Sequence, residues 1–201
     1  MLTKAQSQFE LIGYQLGAAQ CLQSLGITNH MQGRHSEAGE MFTKAQFQFG
    51  VIGSQLGVIQ CLRSAGRISQ LQGRYNEAIE LLTKAQSQFE LIGDHQEAAE
   101  SLFFLAQTYR GQALYKQAKV TLDNALANFE RAGNRAYDVG WCYYEYGIVH
   151  KDAGEKAEAK GKFEEAKAVF DRHGELEEDV DRCSRALAEL NELQITVDGP
   201  I

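Results

Sequence analysis

The chain repeats itself every 40 residues. Residues 2–13 and 82–93 carry the same twelve letters, LTKAQSQFELIG. Aligning 2–41 with 42–81 leaves 22 of 40 positions identical. Phe9, Phe49, Phe89 and Phe129 return at the same place, as do Gly13, Gly53, Gly93 and Gly133. A fixed period in this range means stacked supersecondary units, each burying its apolar face on its neighbours.

Inside each unit the pattern is helical. Ala38, Phe42, Ala45, Phe49 and Ile52 step by 4, 3, 4 and 3, and Ala78, Leu82, Ala85, Phe89 and Ile92 repeat those steps. Such spacing paints one apolar stripe on a helix of 3.6 residues per turn. A second stripe runs ahead of it, through Leu62, Ala65, Gly66 and Ser69, and again through Leu102, Leu105, Ala106 and Tyr109. Glycines punctuate the helices: Gly33 and Gly73 part the two helices of a pair, and Gly53 and Gly93 part the pairs. Proline occurs once, at position 200, so none interrupts a helix before it.

The residues Leu22, Leu25, Gly26, Gly33, Ala38, Phe42 and Ala45 resemble the tetratricopeptide signature. Leu62, Gly66, Gly73, Tyr75, Ala78, Leu82 and Ala85 are more similar still. Small residues at the eighth and twentieth signature positions let paired helices approach closely. The 40-residue period resembles the long-helix variety of kinesin light chains, Pins-type spindle adaptors and the helical tails of some signalling ATPases. Glycine stands where that family usually has a proline after the second helix. The resemblance implies an all-α, right-handed superhelical solenoid of antiparallel helix pairs, with about ten helices. It reads residues 1–193 as a single array, with a half repeat at 1–13 and full repeats at 14–53, 54–93, 94–133 and 134–174. A cap helix at 175–193 and a tail at 194–201 complete it. The last repeat is one residue longer, with the insertion between Gly133 and Tyr143; that shift keeps Glu145 out of a core position. In the cap helix, Val180, Cys183, Ala186, Leu187 and Leu190 are expected to face inward.

Composition narrows the function. A net charge of −7 disfavours non-specific nucleic-acid binding. No apolar run approaches the ~20 residues of a membrane helix, and the N-terminus has no secretory apolar core. The chain therefore reads as soluble and cytoplasmic. Cys21, Cys61 and Cys142 hold one repeat position, and such positions lie roughly 10 Å apart in packed helices. That exceeds the about 7 Å between α-carbons that a disulfide tolerates, so the four cysteines read as reduced, buried core residues. The histidines, at 30, 35, 95, 150 and 173, are scattered, and His150 takes the core or half-buried place that Tyr109 fills one repeat earlier. No zinc-protease, nucleophile-elbow or phosphate-loop motif occurs. We expect no catalytic residue, no metal and no cofactor. The acidic run Glu175, Glu177, Glu178, Asp179 and Asp181 reads as helix-dipole complement and solubilising cap.

The family resemblance also implies a site. Its first helices line the concave surface, through signature positions two, five, nine and twelve. Carried over, the groove holds Gln20, Gln23, Ile27 and His30, then Gln60, Arg63, Arg67 and Gln70. Glu100, Phe103, Gln107 and Arg110 follow, and Trp141, Tyr144, Ile148 and Lys151 come last. Four cations face one acid there, beside the exposed aromatics Phe103, Trp141 and Tyr144. The expected function is a scaffold or adaptor that captures an acidic protein or peptide segment carrying aromatic or apolar anchors. The alternative is a sensor or regulatory tail, or a fragment, of a larger nucleotide-dependent signalling protein. The helix at 1–12 lacks a partner within its repeat, and Leu2, Ala5, Phe9 and Ile12 make a weak homodimer through that end the simplest expectation.

Overall fold

A computed structural model describes residues 2–133, 136–172 and 177–195. Within them the chain is all-helical: α1 (Leu2–Leu11), α2 (Gln15–Met31), α3 (His35–Val51), α4 (Gln55–Leu71), α5 (Tyr75–Leu91), α6 (His95–Gly111), α7 (Tyr115–Arg131), α8 (Ala136–Asp152), α9 (Lys156–Asp171) and α10 (Glu177–Ile195). The ten helices are those of the helical-repeat class that the period implies. His173 and Glu175 lie outside the described residues, as do residues 196–201 of the expected tail. Helix α10 extends through Gln194 and Ile195.

The chain divides into two compact units, Met1–Thr108 and Tyr109–Ile201. In the first, helix ends follow one recipe. Gly33 takes φ +73°; its N–H donates to the His30 carbonyl, and that of Arg34 to Asn29, both at 2.9 Å. Gly73 repeats this with Gln70 and Ser69. Left-handed backbone closes off the last carbonyls of a helix, and glycine adopts it without a Cβ penalty. In the second unit Ala113 makes the same turn at φ +57°, with its N–H bonded to the Arg110 carbonyl at 2.8 Å. Not every turn is glycine's.

Glycine has a second use where helices touch. A Cβ on Gly26 would lie 2.8 Å from the Phe42 ring, and one on Gly66 2.8 Å from Leu82 Cγ. In the second unit Gly147 meets Phe163 in the same way, at 2.6 Å. The partner side chain lies on bare backbone, so the pair packs closely. Helices α2, α4, α6 and α8 begin at residues 15, 55, 95 and 136.

Around these contacts the first unit builds a row of small cores. One joins Ala19, Leu22, Ala45, Phe49 and Cys61; the next joins Ile59, Leu62, Ala85, Phe89 and Ala98. The second unit gathers Ala159, Phe163, Ala186 and Leu190, and beside them Ala166, Phe170 and Cys183. The four cysteines are free and buried. Burial raises the Cys61 thiol to about 12 and Cys183 to about 11, which suppresses the reactive thiolate. Two expectations fail. Ile52 is only half-buried and Ile92 exposed, because both lie just past the last turn of their helices. Glu145, expected clear of the core, is 3% exposed; its one-residue shift is real, but a buried ion pair holds it inside.

Candidate protein-binding face

In the first unit, α2, α4 and α6 are the first helices of their pairs, and their expected groove positions lie side by side. Side chains reach from each helix to the next at a separation of 37 residues. Gln23 Nε2 donates to Gln60 Oε1 at 3.2 Å. Arg63 donates to Glu100 and pairs with Glu97 at 2.8 Å. Gln70 Nε2 donates to Gln107 Oε1 at 3.5 Å. These rungs follow from the repeat: position five of one helix faces position two of the next, and position twelve faces position nine. The half-buried side chains form a polar ladder rather than four isolated sites.

Arg67 stands apart. Its guanidinium carbon lies 4.6 Å from the centre of the Phe104 ring, a cation–π contact. Among the described residues it forms no ion pair within 4 Å. Desolvation, then repulsion from Arg63, lowers its pKa, with Glu100 acting against them. His30 is shifted down as well, by desolvation first and then by Arg67 and His35. Phe103 is half-buried with its ring edge-on to Phe104, while Gln20 and Ile27 are exposed.

The second unit treats its expected groove residues differently. Arg110 Nε donates to Glu145 at 2.6 Å, and Nη1 to Asp152 at 3.1 Å. Burial opposes the charge on Arg110, yet the two carboxylates outweigh it and raise its pKa. Lys151 pairs with Glu189 of α10 at 2.7 Å. Trp141 is not an open aromatic: it packs beside the Ala166, Phe170 and Cys183 core, and Arg182 of α10 lies 4.9 Å above its ring. Tyr144 and Ile148 pack beside Phe163 and Leu190. What remains open is a cleft of about 510 Å³ lined by Tyr144, Ile148, Lys151, Arg182, Arg185 and Glu189, among others.

Glu97, Glu145, Asp152 and Glu189 therefore change the charge count read from the sequence, where four cations faced one acid. Glu97 is one helical turn before Glu100, and Glu189 is 38 residues after Lys151, so the cross-repeat spacing was the signal that could have found them. Sequence reasoning also missed a second cleft, of about 740 Å³, that runs between α3 and α5 over α4. His35, Thr43, Lys44, Ile68, Gln72 and Arg74 line it, with Gly39. Its signal was a comparison of repeats: Gly39 occupies the place that Ile79 fills one period later.

Residues 59–131 match the family model described as tetratricopeptide repeat. No curated protein sequence matches the chain. Among solved structures, aspartyl phosphate phosphatase F from Bacillus subtilis superposes with a TM-score of 0.80 at 15% identity, over 97% of this chain and 54% of that one. A Rap protein complexed with competence and sporulation factor gives 0.73 at 15%, over 92% and 54%. A putative kinesin light chain from Podosopora anserina with nearly identical TPR-like repeats gives 0.66 at 16%, over 89% and 93%. The chain thus spans about half the length of the first two. At these identities the likeness is one of fold.

Proposed function

We propose that this tetratricopeptide-repeat chain is a protein-interaction scaffold whose α2–α4–α6 face binds an acidic segment of another protein. The observation that carries the reading is Arg67. The ladder neutralises Arg63 internally, whereas Arg67 presents a guanidinium already oriented by Phe104 and lacking a carboxylate of its own. A ligand carboxylate would supply the missing partner, and a charge-assisted pair of that kind is both short and specific. Gln20, Gln23, Gln60, Gln70, Gln107 and His30 would offer hydrogen bonds to an extended backbone. Phe103 and Ile27 would supply apolar anchor contacts. A structure of similar fold, the Rap conjugation gene regulator of the plasmid pLS20 in complex with the Phr* peptide, supports a peptide-holding role.

The second unit adds a separate recognition element. Tyr144, Ile148, Lys151, Arg182 and Arg185 line one cleft, and we read it as an aromatic and cationic contact for the same class of ligand. Trp141 backs that cleft rather than lining it. Among the described residues no helix is long and apolar enough to cross a membrane, and the reduced cysteines suit a cytoplasmic scaffold.

Reversing Arg67 tests the reading. Arg67→Glu is expected to abolish capture of an acidic, aromatic-containing peptide while leaving the helical circular-dichroism signal unchanged. Arg63→Glu is the poorer probe, since it would set a third carboxylate beside Glu97 and Glu100 and loosen the fold. Undiminished peptide binding by Arg67→Glu, measured by fluorescence anisotropy, would contradict the assignment.

A further inference from the structure

One recess of the repeat is filled in the second unit and open in the first. Helices α3, α4 and α5 begin at residues 35, 55 and 75, and α7, α8 and α9 at 115, 136 and 156. Aligned on those starts, Gly39, Thr43, Ala65 and Ser69 correspond to Lys119, Asp123, Tyr146 and His150. The first four line the cleft of about 740 Å³ between α3 and α5. The second four build the surroundings of one buried ring. Tyr146 is 8% exposed. Its hydroxyl donates to Asp123 Oδ1 at 2.9 Å, with the Lys119 carbonyl at 3.2 Å. The ring stacks on His150, with 5.4 Å between centroids. In the intervening repeat the places of Gly39 and Ala65 carry Ile79 and Leu105. The open cleft thus comes from two positions being small together.

We propose that this cleft is a binding site for a small molecule carrying a phenol ring, held as Tyr146 is held in the second unit. The chain itself shows what such a recess accepts. Ala65 supplies the Cβ of a tyrosine and nothing beyond it, so the space left is that of the ring and its hydroxyl. Thr43 Oγ1 donates to the Gly39 carbonyl at 2.9 Å. Its lone pairs are left to accept from a phenol hydroxyl, as Asp123 accepts from Tyr146. Ile68, 1% exposed, gives the ring an apolar floor. The volume falls within the roughly 300–1,000 Å³ of small-molecule sites, which leaves room for substituents on the ring. Their positions are restricted. A group para to the hydroxyl would coincide with the Ala65 Cβ, which excludes a tyrosine side chain of another protein in this pose. A meta group over Gly39 meets open space, because a Cβ there would touch only Ile68 Cγ2, at 3.7 Å. Helix α4 gives Ala65, Ile68, Ser69 and Gln72 to the cleft, whereas its peptide-face positions are Gln60, Arg63, Arg67 and Gln70. The phenol site is therefore separate from the acidic-peptide face.

Titration of the full chain with m-cresol and with p-cresol, followed by methyl NMR, tests the proposal, because the isomers share their groups and differ in shape. m-Cresol is expected to give saturable ring-current shifts at the Ala65 and Thr43 methyls. p-Cresol should bind at least about fivefold more weakly, the low end of what overpacking costs. Thr43→Val removes the acceptor and keeps the shape, and should weaken m-cresol about two- to fivefold. Ala65→Tyr supplies the ring covalently; it should raise the melting temperature and abolish the m-cresol shift at Thr43. Gly39→Ile places the next repeat's side chain in the cleft and should also block m-cresol, whether or not Ala65→Tyr folds. Absence of saturable shifts, or shifts that survive Gly39→Ile, overturns the proposal. Equal or tighter binding of p-cresol does so too, since the ring would then not lie as Tyr146 does and a tyrosine side chain would fit as well.

Discussion

Gly57 and Gly39 both lie inside helices, yet they answer to different forces. A Cβ on Gly57 would come within 2.5 Å of the Phe49 ring; one on Gly39 would meet only Ile68 Cγ2, at 3.7 Å. Gly39→Ala is therefore expected to stabilise by about 1 kcal/mol through helix propensity alone. Gly57→Ala should lose about 1–2 kcal/mol net, since overpacking outweighs the same propensity gain. Urea unfolding of the two variants side by side checks the pair. Ala113 presents the converse case, a Cβ held in left-handed backbone. Ala113→Gly should gain up to about 1 kcal/mol; an unchanged unfolding midpoint would mean that the turn carries no strain. Residue identity alone could not separate these cases. Gly39 against Ile79 hints at open space, but the ring facing Gly57 depends on how α3 and α4 pack.

At the scale of the helix, the second unit is joined by charge as much as by apolar contact. Arg110, from the end of α6, reaches Glu145 and Asp152 on α8. Replacing Arg110 by Met would remove the guanidinium that pairs with the buried Glu145, at a cost of about 3 kcal/mol. Adding Glu145→Gln should recover part of that loss, and a double-mutant cycle measures how much. Another link joins α7 to α8 and α9. Lys119 Nζ donates to Glu155 at 2.8 Å, and His150 Nδ1 lies 2.5 Å from the same carboxylate. Hydrogen bonds from Lys119 and then His150 hold the Glu155 pKa below its ordinary value of 4.5. A depressed carboxylate contributes stability that is present above its unfolded pKa and lost as pH falls through the folded one. The link should therefore loosen only below about pH 4.5, and Glu155→Gln should flatten that part of the acid-stability curve. Helix number, helix ends and the 41-residue step were legible in the period itself. Glu145 was not, because a repeat alignment assigns a position and cannot see the Arg110 that arrives from an earlier helix.

For the whole chain, position outranks sequence. Residues 2–13 and 82–93 would be indistinguishable to any propensity scale, yet the amides of 83–91 should exchange far more slowly with deuterium than those of 3–11. Equal protection of the two segments would contradict the half-buried state of α1. This is nearest-neighbour energetics in a repeat stack, where each unit gains stability from what covers it. The expected binding face was legible for the same reason that it was incomplete. Signature positions locate Arg63, Arg67, Gln70 and Gln107 along the first helices, and the family resemblance supplies their orientation. It does not supply the acids that complete the ladder, nor the contact of α10 with Trp141 and Lys151. A peptide bound chiefly through Arg67 should lose affinity as salt rises, because its ion pair is exposed to screening. Titration at two ionic strengths checks this, and salt-independent binding would point to the apolar contacts instead.

The aromatic neighbourhood of Trp141 has one more consequence. It is the only tryptophan in the chain, it belongs to the second unit, and its indole lies against Phe170, Tyr144 and Arg182. Light emitted after selective indole excitation therefore originates from one unit alone. In a denaturant titration, fluorescence would trace residues 109–201, while the far-ultraviolet dichroism would average over every helix. Coincident curves would mean that the two units melt as one cooperative body. A gap between them would give the free energy of each unit from a single unlabelled sample, with nature having already placed the probe.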